Sequence, residues 1–560
     1  MKQYYTIIED IIKNYINVES VIIEIPPEET MGDIAIPCFQ FSKALKKNPN
    51  DIAIELKELF ISNEYIDKIE IAGSYLNFFL KKMPIISSAI SDVRKCGSKY
   101  GSSLVGIGKN ALIEHTSLNP NSPAHIGRAR NALIGDMIVR LFRFEGYNVN
   151  VHYFVNDIGK QIAMLVLAMD ELNNPDVSFK EILKIYIDIN EKVKEDPSLE
   201  ERVFNYLNLL ENNDIEVKNK FKKVVDICVT GQVSAFNELG IYYDKFQYES
   251  EYIWNNTTND ILQKFEKTGK MFIDADNRCV LNLEGFDIPL ESPVIVLTRG
   301  DKTSLYSLRD IAYSIDKINE SSENNVILLG EDQKVYFMQI RAALDILGYK
   351  APQIVHYAYV LLNSEKMSTR QGKVVLLEDF MRESIDMAIK NSKENNQDIS
   401  LETAKKIGYG SMKYTILKTS RERTVNFDWD SALRFEGDSA VYIMYNYARI
   451  CSLIRKSEFK FADAQINFSK LTLTSEYSLA KDILLFKKVI EKTSEDFEAK
   501  YITNHIYKIM KKFSTYYHEY QIINIDDLEI RTARLALVSA IKQVVENGMS
   551  ILGIDMIEQF

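Results

Sequence analysis

At 560 residues, with 46% hydrophobic and 26% charged side chains, the chain has the make-up of an ordinary globular protein of about three or four domains. A formal net charge of −11 argues against a protein that grips nucleic acid through bulk positive charge, while leaving room for local basic patches on an acidic body. Cys38, Cys96, Cys228, Cys279 and Cys451 form no Cys-x-x-Cys pair, and no run reaches the roughly 18 apolar residues of a membrane span; a disulfide scaffold, a structural zinc site and a membrane protein are set aside, and a cytoplasmic location is expected.

Residues 1–95 read as one compact module. It begins with an amphipathic helix in MKQYYTIIEDIIKNYI, which has no signal-peptide core. VIIEIPPEETMGDIAIP follows as an extended segment broken by Pro26-Pro27, then helices through Ala44 and Leu56, then the strand-like IEIAGSYLNFFL. Residues 96–110, CGSKYGSSLVGIGKN, are rich in Gly and Ser and read as a linker.

The next stretch is the most informative. Ala111-Leu112-Ile113 is a short apolar strand, and Thr116 to Ala124 is a loop of Asn, Pro and Ser. From His125, apolar residues recur at helical spacing (Leu133, Ile134, Met137, Ile138, Leu141, Phe142) until Gly146 stops them, and Asn148 to Val155 reads as a second strand. This is a βαβ unit with His125-Ile126-Gly127-Arg128 at the strand-to-helix switch, where open parallel sheets place ligands. Uncapped N–H groups and the helix dipole favour an anion there. His125 and Arg128 share the first turn and can donate to phosphate oxygens, while Gly127 leaves room for a base or ribose. A capped core helix with a buried His125 and a solvated Arg128 would read the same way.

Residues 170–244 are polar and helical, without glycine until Gly231, and read as a helical insertion in the α/β domain. Strand-like runs return at Val294–Leu297, Val326–Leu329 and Ile354–His356, and beyond about Arg434 the pattern is helical. A second signal lies about 240 residues after His125, in LLNSEKMSTRQGKVVLLEDF. Lys366, Ser368 and Arg370 offer two cations and a hydroxyl on a polar loop, the equipment for stabilising a departing pyrophosphate. Alone, such a tripeptide is equally a solvated loop.

Together, HIGR and KMSTR resemble the HIGH and KMSKS signatures of class I aminoacyl-tRNA synthetases. Their surroundings resemble the arginyl-tRNA synthetases: EHTSLNP before the first box, VNDIGKQ, TSLYSLRDIAYSIDK, KMSTRQGKVV, NFDWDSALRFEGDSAVYIMYNYARICSLIRK, and the closing RTARLALVSAIKQVVENGMSILGI. The resemblance implies an α/β class I fold. Residues 111–430 would form a Rossmann-like parallel-sheet catalytic domain, 1–95 an α+β domain on the tRNA elbow, and 431–560 an all-α anticodon-binding domain. It also implies ATP with Mg2+ as substrate, no permanently bound cofactor and no resident metal, L-arginine and tRNA(Arg) as partners, and a monomer.

By the same resemblance, Glu114, Tyr306 and Asp310 line the guanidinium pocket, with Asn119 and Gln339 toward the amino-acid end. Carboxylates suit a fork of five donors, and Tyr306 and Asp310 are four apart on one helix face. His125, Gly127, Arg128, His356, Lys366, Met367 and Ser368 would bind ATP. Of these, His125, Arg128, Lys366 and Ser368 are expected to carry catalysis. Tyr75 and Asn77 would meet an unpaired base of the tRNA elbow, against the alternative that Tyr75 packs beside Phe78 and Phe79. Two positions depart from the family: Arg128 replaces the usual final His of HIGH, and the C-terminal MIEQF lacks the usual ending. An activating enzyme with another acceptor, or a catalytically weak tRNA-binding paralogue, are the competing readings.

Overall fold

The computed structural model describes residues 2–60, 63–172, 177–321, 323–362, 375–395 and 397–560. The N-terminal part holds α1 (Lys2–Tyr15), β1 (Ile34–Pro37), the single-turn α2 (Ser42–Leu45), α3 (Pro49–Glu58), β2 (Ile66–Ala72) and β3 (Tyr75–Leu80). β3 is the central strand of an antiparallel sheet ordered β1-β3-β2. Its alternation sends Leu76, Phe78 and Leu80 into the core under α1 and α3, and Tyr75, Asn77 and Phe79 to the other face.

β3 runs into α4 (Lys82–Cys96), which lies along helices of the C-terminal region rather than on its own sheet. The segment that follows, read above as a linker, is docked. Tyr100 is buried and stacks on Phe486, and Asn547 donates to the carbonyls of Gly97 and Tyr100. Glycine and serine gave it the composition of a tether, but its one aromatic ring anchors it.

The central region is built on β4 (Asn110–Glu114), α5 (Ile126–Phe144) and β5 (Asn148–Val155), with β4 and β5 parallel as the βαβ reading requires. Helix α6 (Lys160–Leu172) precedes α7 (Phe179–Glu195), α8 (Pro197–Glu211) and α9 (Ile215–Glu238), which fill the polar helical stretch of residues 170–244 and lead to β6 (Lys245–Tyr248). Next come α10 (Glu251–Trp254), α11 (Thr257–Lys267), β7 (Met271–Ile273), β8 (Cys279–Asn282), β9 (Val294–Val296), α12 (Tyr306–Glu320), β10 (Asn325–Gly330), α13 (Lys334–Ile346), β11 (Gln353–Tyr357) and β12 (Val360–Leu362). All strands of the main sheet, ordered β11-β10-β4-β5-β6, are parallel. The strand order reverses between β4 and β10, which places a ligand crevice beyond Glu114. β9 does not join this sheet; it completes a small antiparallel one with β7 and β8. Along β10, Val326 and Leu328 join the core shared with α5, whereas Ile327 and Leu329 join a second core with α12 and α13.

The chain closes with α14 (Leu377–Glu394), α15 (Leu401–Leu417), β13 (Val425–Phe427), α16 (Trp429–Ala432), and the bundle of α17 (Ala440–Ser457), α18 (Thr474–Asp496), α19 (Lys500–Glu519) and α20 (Leu528–Ile551). β13 pairs in parallel with β12. No helix among the described residues is long and apolar enough to cross a membrane.

Candidate active site

The loop leaving β4 is strained. Thr116 and Ser117 have φ of +71° and +43°, a region unfavourable for side chains with a Cβ and most of all for a β-branched one. Hydrogen bonds hold it there: the Thr116 N–H donates to Asn131 Oδ1 at 2.6 Å and the Thr116 hydroxyl accepts from Tyr243 at 2.7 Å. Asn131 also donates to the Leu328 carbonyl, so one α5 side chain ties this loop to β10. α5 comes so close that a Cβ on Gly135 would lie 2.3 Å from the His115 ring, which is why that helical position carries none. Burial drives the His115 imidazole down to about 3, so it is a neutral packing element.

Further along, the insertion supports the loop. Gln232 on α9 is buried, donates to the carbonyls of Asn119 and Ser122 at 3.1 and 2.8 Å, and accepts from the Tyr153 hydroxyl. Asn121 donates to Gln161 at 2.7 Å. These contacts shape a cleft of about 210 Å³ whose walls include Asn119, His125, Arg128 and Gln333. His125 is the N-cap of α5 and makes no side-chain cap, leaving its ring available. Burial, then the Arg128 charge, lowers the His125 imidazole to about 4, so at neutral pH it offers one N–H and no charge; its Nδ1 is buried without a partner. Arg128 is exposed, and its side chain makes no hydrogen bond or ion pair among the described residues. Gly127 is buried between them.

The second cluster lies around the end of β4 and the adjoining helices. Glu114 is buried and paired with the fully buried Lys317 of α12, whose ammonium sits 4.3 Å from the Tyr313 ring centre. Arg309 pairs with buried Glu249 at 2.7 Å. Arg309, next to Asp310 in sequence, and Lys317, seven residues on along the same helix, are therefore both spent on other acids. Asp310 accepts from the Tyr336 hydroxyl at 2.5 Å and has no cation within ion-pair distance among the described residues. Burial, then the charges of Glu249 and Glu114, raise the Asp310 carboxyl to about 7. Tyr306 is exposed beside it, its ring 5.4 Å from that of Tyr336. Gln339, one turn after Tyr336 on α13, donates to the Val294 carbonyl at 2.7 Å. The arrangement is a partly buried acid without a countercharge, flanked by two tyrosines: a receptor for a cation.

The structure thus brings Asn119, His125, Gly127 and Arg128 together at one cleft, and Glu114, Tyr306, Asp310 and Gln339 around α12 and α13. His356 ends elsewhere: it lines a groove of about 1000 Å³ between edge strand β11 and α13, with a buried, unpartnered Nδ1 and an imidazole lowered first by burial. Lys366, Met367 and Ser368 lie outside the described residues. Residues flanking them do not. Ala124 to Ile126 and Val375 to Leu377 form a bridge, with the Leu377 N–H on the Ala124 carbonyl at 2.8 Å and the Ile126 N–H on the Val375 carbonyl at 3.2 Å. On the other flank, the Arg130 guanidinium donates to the carbonyls of Ala358, Tyr359, Thr419, Ser420 and Arg423. The helix of the first signature therefore holds the backbone on both sides of the second.

On the N-terminal sheet, Tyr75 packs edge-on against the exposed ring of Phe39, at 6.1 Å, rather than beside Phe78. Asn77 shares that face and is 7% exposed, with the Gly32 loop lying over it.

Sequence reasoning missed Tyr336, Gln232 and Arg130. Tyr336 stands three residues before Gln339, but nothing in the sequence singles out Arg130, in the second turn of α5 beside Asn131, or Gln232 on α9, because their partners are remote in sequence.

Three family profiles match the chain: "Arginyl tRNA synthetase N terminal domain" over residues 2–80, "tRNA synthetases class I (R), catalytic domain" over 91–429, and "DALR anticodon binding domain" over 443–560. The arginine--tRNA ligase of Clostridium perfringens is 33% identical over 577 aligned positions, covering 99% of this chain and 100% of the relative. That of Methanocaldococcus jannaschii is 34% identical, covering 94% of each. Among solved structures, the arginyl-tRNA synthetase of Thermus thermophilus superposes with a TM-score of 0.84 at 23% identity over the full length of both chains, a likeness of fold.

Proposed function

The chain belongs to the class I arginyl-tRNA synthetases, charging tRNA with arginine at the expense of ATP, and on that premise we propose how its residues divide the work. The arginine guanidinium seats against Asp310, with Tyr306 and Tyr336 beside it and Glu114, held by Lys317, closing the acidic end. Asn119 and Gln339 orient the amino-acid end. The observation that carries this assignment is the uncompensated Asp310: the neighbouring cations Arg309 and Lys317 are already paired, and the missing charge is the one a guanidinium supplies.

ATP lies along the α5 N-terminus. The arginine carboxylate attacks the α-phosphorus in line, forming arginyl-adenylate and expelling pyrophosphate. His125 donates a neutral N–H, Arg128 supplies a fixed charge, and Lys366 and Ser368, with Met367 between them, act on the leaving group. His356, which lines the separate groove beside β11, takes no part in this scheme. A terminal ribose hydroxyl of tRNA then attacks the adenylate carbonyl and AMP leaves. The protein contributes position and charge rather than covalent chemistry. The bridge between residues 124–126 and 375–377 supports this pairing of signatures, because it fixes the backbone beside both. Tyr75, with Phe39 behind it, offers a stacking surface to an elbow base, while Asn77, buried under the Gly32 loop, supports the strand rather than presenting the polar edge expected of it. Mg2+ enters with ATP as part of the substrate. The proposed working unit is a cytoplasmic monomer, which rests on the family resemblance.

The test is aminoacylation of a tRNA(Arg) transcript with labelled arginine and lysine in parallel. Arginine is expected to be charged and lysine rejected by about 10⁴-fold, since an ammonium leaves a fork-shaped acceptor site unfilled. Comparable charging of the two would overturn the pocket assignment.

A further inference from the structure

Gly32-Asp33, the start of the GDIAIP segment, occupies a corner that the division of work above leaves unused. Gly32 has φ +117°, and a Cβ there would stand 3.0 Å from the Phe78 carbonyl oxygen, so glycine lets this loop press against β3. Asp33 then grips the end of that strand. Its own N–H donates to the Phe78 carbonyl at 2.8 Å, and its carboxylate accepts the Leu80 N–H at 2.9 Å.

The same carboxylate reaches across to the C-terminal bundle. It accepts from the Tyr477 hydroxyl at 2.6 Å and from the Lys481 ammonium at 3.0 Å, both on α18 and more than 440 positions away in the chain. Asp33 and Lys481 are 4% and 6% exposed, so neither can contact a macromolecule directly. A second strut runs parallel: Glu29 accepts from Ser478 at 2.8 Å and from Lys512 at 2.5 Å, and Lys512 also pairs with Asp482. One buried acid thus joins the end of the strand carrying Tyr75 and Asn77 to the first turns of a bundle helix.

We propose that Asp33, with Lys481 and Tyr477, is a positioning latch for the known reaction: it fixes the outer face of the N-terminal sheet relative to the helical bundle so that both engage one tRNA at once. The proposal rests on the reading of the Tyr75 face as an RNA contact. Two weak contacts held at a fixed spacing act as one strong one, because after the first engages the second binds at high effective concentration. Releasing the latch removes that advantage and leaves the chemistry untouched, since the latch touches neither the cleft at His125 nor Asp310.

The experiment is steady-state aminoacylation by the full-length enzyme carrying Asp33→Asn, or Tyr477→Phe with Lys481→Met. The second variant acts from the bundle side and leaves the N-terminal sheet intact should Asp33→Asn fail to fold. Each is expected to raise KM for tRNA about tenfold, with kcat and the KM values for arginine and ATP unchanged. In a Tyr75→Ala background the bundle-side variant is expected to add little, because the grip it positions is already lost. An unaltered KM for tRNA in the folded variants would overturn the latch, as would a full bundle-side effect persisting alongside Tyr75→Ala. A Tyr75→Ala enzyme that keeps the parental KM for tRNA would overturn the Tyr75 reading and the latch with it, whereas a raised KM there beside an unaltered KM in the folded latch variants would overturn the latch alone.

Discussion

Arginine binding is expected to depend on pH through a single carboxyl. In the empty site Asp310 titrates at about 7, raised by burial and by the charges of Glu249 and Glu114. The guanidinium needs it ionised. With a value of 7, about one molecule in eleven is competent at pH 6 and about ten in eleven at pH 8, so apparent affinity is expected to rise about tenfold between them and level off above. At pH 7 about half a proton is expected to leave per arginine bound. The sign is opposite for the unliganded fold: a carboxyl raised above its ordinary value favours the protonated folded state, and its contribution to stability declines as pH climbs from about 4 toward 7. His125, at about 4, is silent across the assay window. Calorimetric titration with arginine at pH 6, 7 and 8, in buffers of different ionisation enthalpy, reads both quantities. Asp310→Asn is expected to weaken binding and abolish the slope. A parent protein with less than a twofold change, or an Asn variant with the full slope, would refute the assignment of the charge to Asp310.

Three other substitutions probe the remaining parts. Arg128→Ala is expected to slow adenylate formation by about 100-fold, as loss of a transition-state donor does, while Arg128→His keeps measurable activity; parental rates for the alanine variant would exclude Arg128 from phosphate binding. Arg130→Met, which strands several buried carbonyls, is expected to cost about 3 kcal/mol of stability by denaturant titration, and a change below about 1 kcal/mol would mean that water replaces the guanidinium. Tyr75→Ala is expected to raise KM for tRNA with an unchanged melting temperature, whereas a lowered melting temperature with unaltered affinity would make Tyr75 a packing residue against Phe39.

The parallel sheet and its ligand end were readable because both depend on local patterns. The apolar run at Ala111, the helical spacing after His125 and the break at Gly146 are consequences of chain geometry over a few residues. The docking of residues 97–109 was not readable, since Gly and Ser report backbone freedom and nothing about Phe486, the ring on which Tyr100 lands. β9 showed the same limit: Val294 to Val296 has strand composition, but which sheet it joins is decided by β8. The acids of the arginine cluster were picked out by family likeness, and their electrical state was beyond that. Nothing in the spacing of Arg309 and Lys317 says whether either neutralises Asp310; the fold engages them with Glu249 and Glu114.

The bridge between residues 124–126 and 375–377 also bears on synthesis and assembly. Its two sides are separated by about 250 residues, and the carbonyls held by Arg130 come from 228 to 293 positions further along the chain. Contacts of such span form late, after the intervening segments have collapsed. A nascent chain that has exposed His125 and Arg128 still lacks the partner for that backbone until the ribosome passes Leu377. The cleft at His125 and Arg128 is therefore completed after β4, β5 and α5 have already folded together. Proteolytic nicking of refolding intermediates should accordingly find residues 375–377 accessible after the β4–β5 pair has become protected.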